Sequence, residues 1–130
     1  MTTVLLDTHV LHWSSAEPER LSTAAREALV AADELAVASV TWYELAWLAL
    51  HERIRITRPL LSWLDELAGQ VRTVVTTPSI AATAVSLPSS FPSDPADRLI
   101  YATAIEHGWR LVTKDDRLRL HRHPREITVW

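Results

Sequence analysis

Four acidic residues stand where a carboxylate has little to do unless it binds something. Asp7 follows the apolar run Val4-Leu5-Leu6 and precedes Val10-Leu11, between two segments that a fold would bury. Its other use would be as the N-cap of a helix over residues 8–13. Glu44 is the only charged side chain in the sixteen positions from Leu35 to Leu50. Its neighbours one turn away are Val40, Thr41, Trp47 and Leu48. A helix that is apolar nearly all round is expected to be buried on both sides, so Glu44 needs a cation or an arginine partner. Asp97 lies three residues beyond Asp94-Pro95. Capping of a helix start accounts for Asp94, and for Asp97 it competes with a role at a shared centre. Asp115 follows Leu111-Val112-Thr113, and with Asp116 it could also cap a short helix from Asp116 to Leu120.

If Asp7, Glu44, Asp97 and Asp115 converge, their mutual repulsion calls for a hard divalent cation. Oxygen donors without cysteine or histidine favour Mg²⁺ or Mn²⁺ over zinc. His9 and His12 have helical spacing for a zinc pair, but no third ligand is in view, and packing or exposure is the simpler use of both. The chain has no cysteine, which excludes disulfides, thiolate metal sites and a cysteine nucleophile.

The elements that must position these acids can be read from the apolar pattern. Strand character marks Thr3 to Leu6, Leu35 to Ala38, Arg72 to Val75, Arg110 to Thr113 and Ile127 to Trp130. Helical segments lie between the first four. One is capped by Ser22 and runs to Ala32, and one opens at Ser39 or Thr41 and runs to about Arg53. Others begin at Pro59 and reach Ala68, or begin at Pro78 and reach Val85. The last opens at Asp94-Pro95 and stops at Gly108. Alternating strands and helices with near-continuous apolar strands predict an α/β fold of three layers, a parallel sheet of about five strands covered on both faces. At 130 residues, 48% hydrophobic and 22% charged, the chain is expected to form one domain over residues 1–130. Leu87-Pro88-Ser89-Ser90-Phe91-Pro92-Ser93 reads as a loop. With only Gly69 and Gly108, there is no glycine-rich phosphate cradle, which removes P-loop and dinucleotide-binding readings. No apolar stretch approaches a membrane span, and the N-terminus has no basic leader, so a cytoplasmic protein is expected.

Charge is uneven. Residues 1–50 carry seven acids against two arginines, while residues 107–130 carry six Arg/Lys against three acids. An acidic half beside a basic tail suits a metal centre next to a phosphate-binding lip, although solvated faces would look the same.

In order and spacing these residues resemble the motifs of PIN-domain ribonucleases, and most closely the VapC-type toxins of bacterial toxin-antitoxin pairs. The resemblance is carried by Asp7-Thr8-His9 after a strand, by Glu44 within Thr41-Trp42-Tyr43-Glu44-Leu45, by Asp94-Pro95-Ala96-Asp97-Arg98-Leu99-Ile100, and by Leu111-Val112-Thr113-Lys114-Asp115. It implies a three-layer PIN-like fold and a Mg²⁺- or Mn²⁺-dependent endoribonuclease, a toxin that inhibits translation. Asp7, Glu44, Asp97 and Asp115 match the family's metal-holding catalytic acids. Thr8 and Thr113 match hydroxyl positions near them, Asp94 a capping or supporting position, and Asp116 is a further candidate. Arg98, beside the acids, would hold a phosphate or be an ordinary surface arginine. The basic residues from Arg110 to Arg125 would grip the RNA backbone. A cognate antitoxin and a second copy of the chain are the implied partners. The apolar segment Val40 to Leu50 is the expected meeting surface unless the helix from Pro59 to Ala68 covers it.

Two rival readings use the same residues. A noncatalytic interaction module would use the acids only as caps and ion-pair partners. A receiver-type or phosphohydrolase enzyme would need a second acid next to Asp7, which Asp7-Thr8-His9 lacks.

Overall fold

The computed structural model describes residues 1–122 and 125–130. Its centre is β1 (Thr3–Leu6), whose four side chains are all buried. This strand pairs in parallel with β2 (Glu34–Ala38) on one side and β4 (Arg110–Val112) on the other. Outside them lie β3 (Arg72–Val74) and β5 (Thr128–Val129), giving the all-parallel order β3-β2-β1-β4-β5.

Alternation along the strands divides the core into two. Leu5, Ala36, Ala38 and Leu111 point to the face covered by α5 (Pro78–Ser86) and α6 (Pro95–His107). Val4, Leu6, Val37 and Val112 point to the opposite face. There they meet α1 (Thr8–Ala16), α2 (Thr23–Ala31), α3 (Val40–Leu50) and α4 (Leu60–Ala68). Both faces are thus covered, as continuous apolar strands require. Among the described residues no helix is long and apolar enough to cross a membrane.

Helix starts follow the capping chemistry in the sequence. The Ser22 hydroxyl accepts from Ala25 N–H at 3.0 Å and the Thr77 hydroxyl from Ile80 N–H at 3.2 Å. Asp94 Oδ1 accepts from Ala96 N–H at 2.8 Å and Asp97 N–H at 3.3 Å. Gly108 ends α6 at φ 67°, a left-handed turn that glycine enters without a Cβ penalty. Ser39 departs from this pattern. Its hydroxyl accepts from Thr76 N–H at 3.3 Å, tying α3 to the segment after β3 rather than capping its own helix.

The expected burial of α3 on both sides is corrected. Thr41 and Leu45 are buried, and α4 shares the core beneath them through Trp63 and Leu67. Tyr43, at 71% exposure, Trp47, at 41%, and Leu50 remain on an outer face. Helix α4 therefore covers only part of Val40–Leu50.

Candidate active site

The sheet order changes direction at β1, because the chain moves to β2 on one side and later to β4 on the other. In open α/β sheets the crevice beyond the carboxyl ends at such a point is where ligands bind. Register brings the relevant residues there side by side. Leu6 pairs with Val112, so the residues that follow, Asp7 and Thr113, emerge as neighbours. Asp7 N–H donates to the Val112 carbonyl at 3.0 Å. The Thr113 hydroxyl, fully buried, donates to Asp7 Oδ2 at 2.6 Å. Asp7 Oδ1 accepts from Thr8 N–H at 2.8 Å, which makes Asp7 the cap of α1 as well as a site residue.

Glu44 comes to the same place one turn into α3. The buried Thr8 hydroxyl donates to Glu44 Oε1 at 2.5 Å and lies 3.2 Å from the Thr41 hydroxyl. A small polar contact inside the apolar layer thus aims the one charged side chain of that segment. Asp97 stands in the first turn of α6 and is only 9% exposed. Asp115 caps the short helix α7 (Asp116–Arg119), its Oδ1 accepting from Arg117 N–H at 2.9 Å. Together with Asp94, these four acids line one open cleft of about 470 Å³.

Arg117, 62% exposed, spans two of them. It donates from Nη2 to Asp97 Oδ2 at 3.1 Å, from Nη2 to Asp115 Oδ2 at 2.7 Å and from Nε to Asp115 Oδ1 at 3.1 Å. Sequence reasoning placed Arg117 in the basic tail and missed this. The available signal was its spacing of two residues from Asp115, within reach of a side-chain pair. Lys114 and Trp13 also line the cleft, with the lysine ammonium 5.8 Å from the Trp13 ring centroid.

The electrostatics reflect burial first and crowding second. Burial pushes the Asp97 carboxyl up to about 7, with repulsion from Asp94 and Asp7 adding to it and Arg117 opposing. Burial also raises Asp7, against the hydrogen bonds from Thr113 and Thr8. Glu44 is raised by burial, against the Thr8 hydrogen bond. Asp115 is lowered, chiefly by its hydrogen bonds from Arg117. Three carboxyls of the cleft therefore bind protons more readily than free acids, chiefly because burial disfavours their charged form. Among the described residues no three His, Asp or Glu side chains stand close enough to hold an ion as they are placed.

Two candidate residues have other roles. Arg98 is not directed at a phosphate: its guanidinium donates to the carbonyls of Pro92, Ala84, Leu87, Pro88 and Phe91 at 2.9–3.4 Å. It pins the loop between α5 and α6, which has few backbone partners of its own. Asp116 is exposed, pairs with Arg119 at 3.0 Å and is outside the cleft lining. His9 and His12 have separate surroundings, packing and exposure being the uses expected of them. His12 lies 3.5 Å from Glu17 and meets Trp63 edge-on, whereas His9 lines the acidic cleft.

The PIN domain family model matches residues 4–124 of this parallel α/β chain: the chain belongs to the PIN-domain family. Its relatives narrow the comparison. The chain is 73% identical to ribonuclease VapC22 of Mycobacterium tuberculosis (strain ATCC 25618 / H37Rv) over 130 residues, the whole of both sequences. Solved structures share the fold at lower identity. A toxin-antitoxin complex from Klebsiella pneumoniae matches with TM-score 0.64 and 24% identity over 86% of each chain. VapBC2 from Rickettsia felis, bound to a DNA fragment from its promoter, matches with TM-score 0.67 and 16% identity over 92% of each chain.

Proposed function

We propose that this protein is a divalent-cation-dependent endoribonuclease of the VapC type, acting as the toxin of a toxin-antitoxin pair. The observation that carries the reading is the meeting of Asp7, Glu44, Asp97 and Asp115 in one cleft, each from a different element. The full-length 73% identity to a ribonuclease VapC supports it.

The donor set fits Mg²⁺ or Mn²⁺. It is all oxygen, three of its carboxyls are buried enough to be raised, and it already draws in Arg117 as a counter-charge. Asp7, Glu44, Asp97 and Asp115 would hold the cation. When bound, it supplies the acidity that makes water a nucleophile near neutral pH and offsets charge developing on the phosphate. The remaining work belongs to the chain. Thr113 and Thr8 each donate a hydrogen bond, to Asp7 Oδ2 and Glu44 Oε1 respectively, so two carboxylates arrive pre-aimed from buried hydroxyls. Lys114 and Arg117 at the rim supply positive charge for the RNA backbone, a salt-sensitive contribution. Trp13 offers an aromatic face at the same rim for an unstacked base.

The partner surface in this reading is the outer face of α3. Tyr43, Trp47 and Leu50 are larger and more apolar than a solvent face needs. A helix of the cognate antitoxin, or a second copy of the chain, would cover them. Cytoplasmic action on RNA follows from the same reading.

The test is cleavage of a mixed cellular RNA pool by purified protein with Mg²⁺ or Mn²⁺, with EDTA, and by Asp7→Asn prepared identically. Cation-dependent cutting that Asp7→Asn loses is the expected result. Equal cutting by both proteins would refute the assignment of the acidic cleft.

A further inference from the structure

We propose that Arg117 is a tethered counter-cation that exchanges partners during the reaction, leaving Asp97 and Asp115 to the divalent cation and taking a phosphate of the RNA instead. The inference rests on the ribonuclease reading and assigns this chain's own arginine a place in it. Three observations carry it. First, the only ion pairs to Asp97 and Asp115 among the described residues are those of Arg117. Both carboxylates thus hold a side chain of this chain, and among the described residues no three His, Asp or Glu side chains are grouped closely enough to hold an ion. A divalent cation and Arg117 need the same oxygens, so binding of one must weaken the hold of the other.

Second, the geometry that Arg117 makes with Asp115 is a two-pronged fork, Nε to Oδ1 and Nη2 to Oδ2. Two non-bridging phosphate oxygens present the same pair of acceptors, so the guanidinium keeps its two-pronged pairing on changing partner and gives up only the further bond to Asp97. Third, Arg117 has room to make the exchange. It is largely exposed, and it stands between the acidic cleft and an adjoining hollow lined by Ser90, Ser93 and Leu120. An RNA strand crossing the cleft would run past this guanidinium. Lys114 does not share the arrangement, since its ammonium sits over Trp13.

The experiment measures Mn²⁺ affinity of the full chain by electron paramagnetic resonance titration, and RNA cleavage at saturating Mn²⁺, for wild type, Arg117→Gln and Arg117→Lys. Loss of two ion pairs whose arginine is largely exposed should tighten Mn²⁺ binding by about three- to tenfold in Arg117→Gln. Loss of a charged donor to the phosphate should lower kcat/KM by about tenfold or more in the same variant. Arg117→Lys should fall between, because it keeps the charge and loses the fork. The opposite signs separate the proposal from a structural role, which would weaken both. Unchanged or weaker Mn²⁺ binding in Arg117→Gln would overturn the exchange. Undiminished cleavage would do the same. If wild type itself bound no Mn²⁺, the ribonuclease reading would fall together with it.

Discussion

Replacing Asp97 with Asn should stabilise the cation-free protein at neutral and alkaline pH while abolishing its activity. The carboxyl of Asp97 is raised from 3.8 to about 7 by burial and by the neighbouring acids. A group whose folded pKa exceeds its unfolded pKa binds more protons when folded. The folded state is therefore favoured below about pH 4, and that advantage is lost as pH rises toward 7. Roughly three pH units at about 1.4 kcal/mol each set an upper bound near 4 kcal/mol. Solvent screening at the open cleft mouth brings a realistic figure to about 2 kcal/mol. For a chain of this size that corresponds to a rise in Tm of very roughly 5–10 °C. The amide keeps the side chain's shape and still accepts from Arg117. The assay is thermal unfolding of both proteins in EDTA at pH 8 and pH 4.5. The expected result is a clear gain at pH 8 that shrinks at pH 4.5, and loss of most stabilisation by Mg²⁺. An Asp97→Asn protein no more stable than wild type at pH 8 would refute the electrostatic reasoning.

Three further predictions test other parts of the site. Thr8→Val removes the hydroxyl that aims Glu44, and loss of a hydrogen bond to a charged group should weaken cation binding or cleavage by about 1.5–3 kcal/mol, measured by titration and kinetics. Since the side chain is nearly isosteric, its Tm should move less than its activity. Arg98→Ala should destabilise the fold by about 2–4 kcal/mol in urea titrations by orphaning the carbonyls of the loop before α6. The salt dependence of RNA affinity should stay unchanged in that variant, whereas a phosphate ligand would reduce it. The rise in Tm caused by Mg²⁺ should shrink between pH 8 and pH 6, because cation binding requires ionised carboxylates and Asp97 takes up its proton near 7. A pH-independent rise would exclude Asp97 from the ligand set.

The fold was largely legible because its signals were local and agreed with one another. Thr3–Leu6 reads as a strand from its apolar run alone, and Ser22 and Asp94 are capping residues just ahead of helical stretches. The isolation of Glu44 within an apolar segment pointed to the cleft, since no packing argument tolerates a lone carboxylate there. What the sequence left hidden depends on contacts between distant segments. Arg98 sits beside Asp97 in the chain, but its stem leaves α6 toward carbonyls up to fourteen residues earlier. Arg117 reads as one cation of a basic tail until the pairing of β1 with β4 and the approach of α6 set Asp97 beside Asp115. That α3 keeps an outer apolar surface was an open alternative in the sequence, and which residues form it was hidden for a related reason. Tyr43 and Trp47 are as apolar as the buried side, and only the placement of α4 decides which side is covered.

The most direct test of the account is anomalous diffraction from crystals of the wild-type protein soaked in Mn²⁺. The account predicts a manganese peak in the cleft within ligand distance of Asp7 and at least one of Asp97 and Asp115, with Arg117 turned away from the occupied carboxylates. A protein that cuts RNA in Mn²⁺ yet shows its manganese only outside this cleft would contradict it.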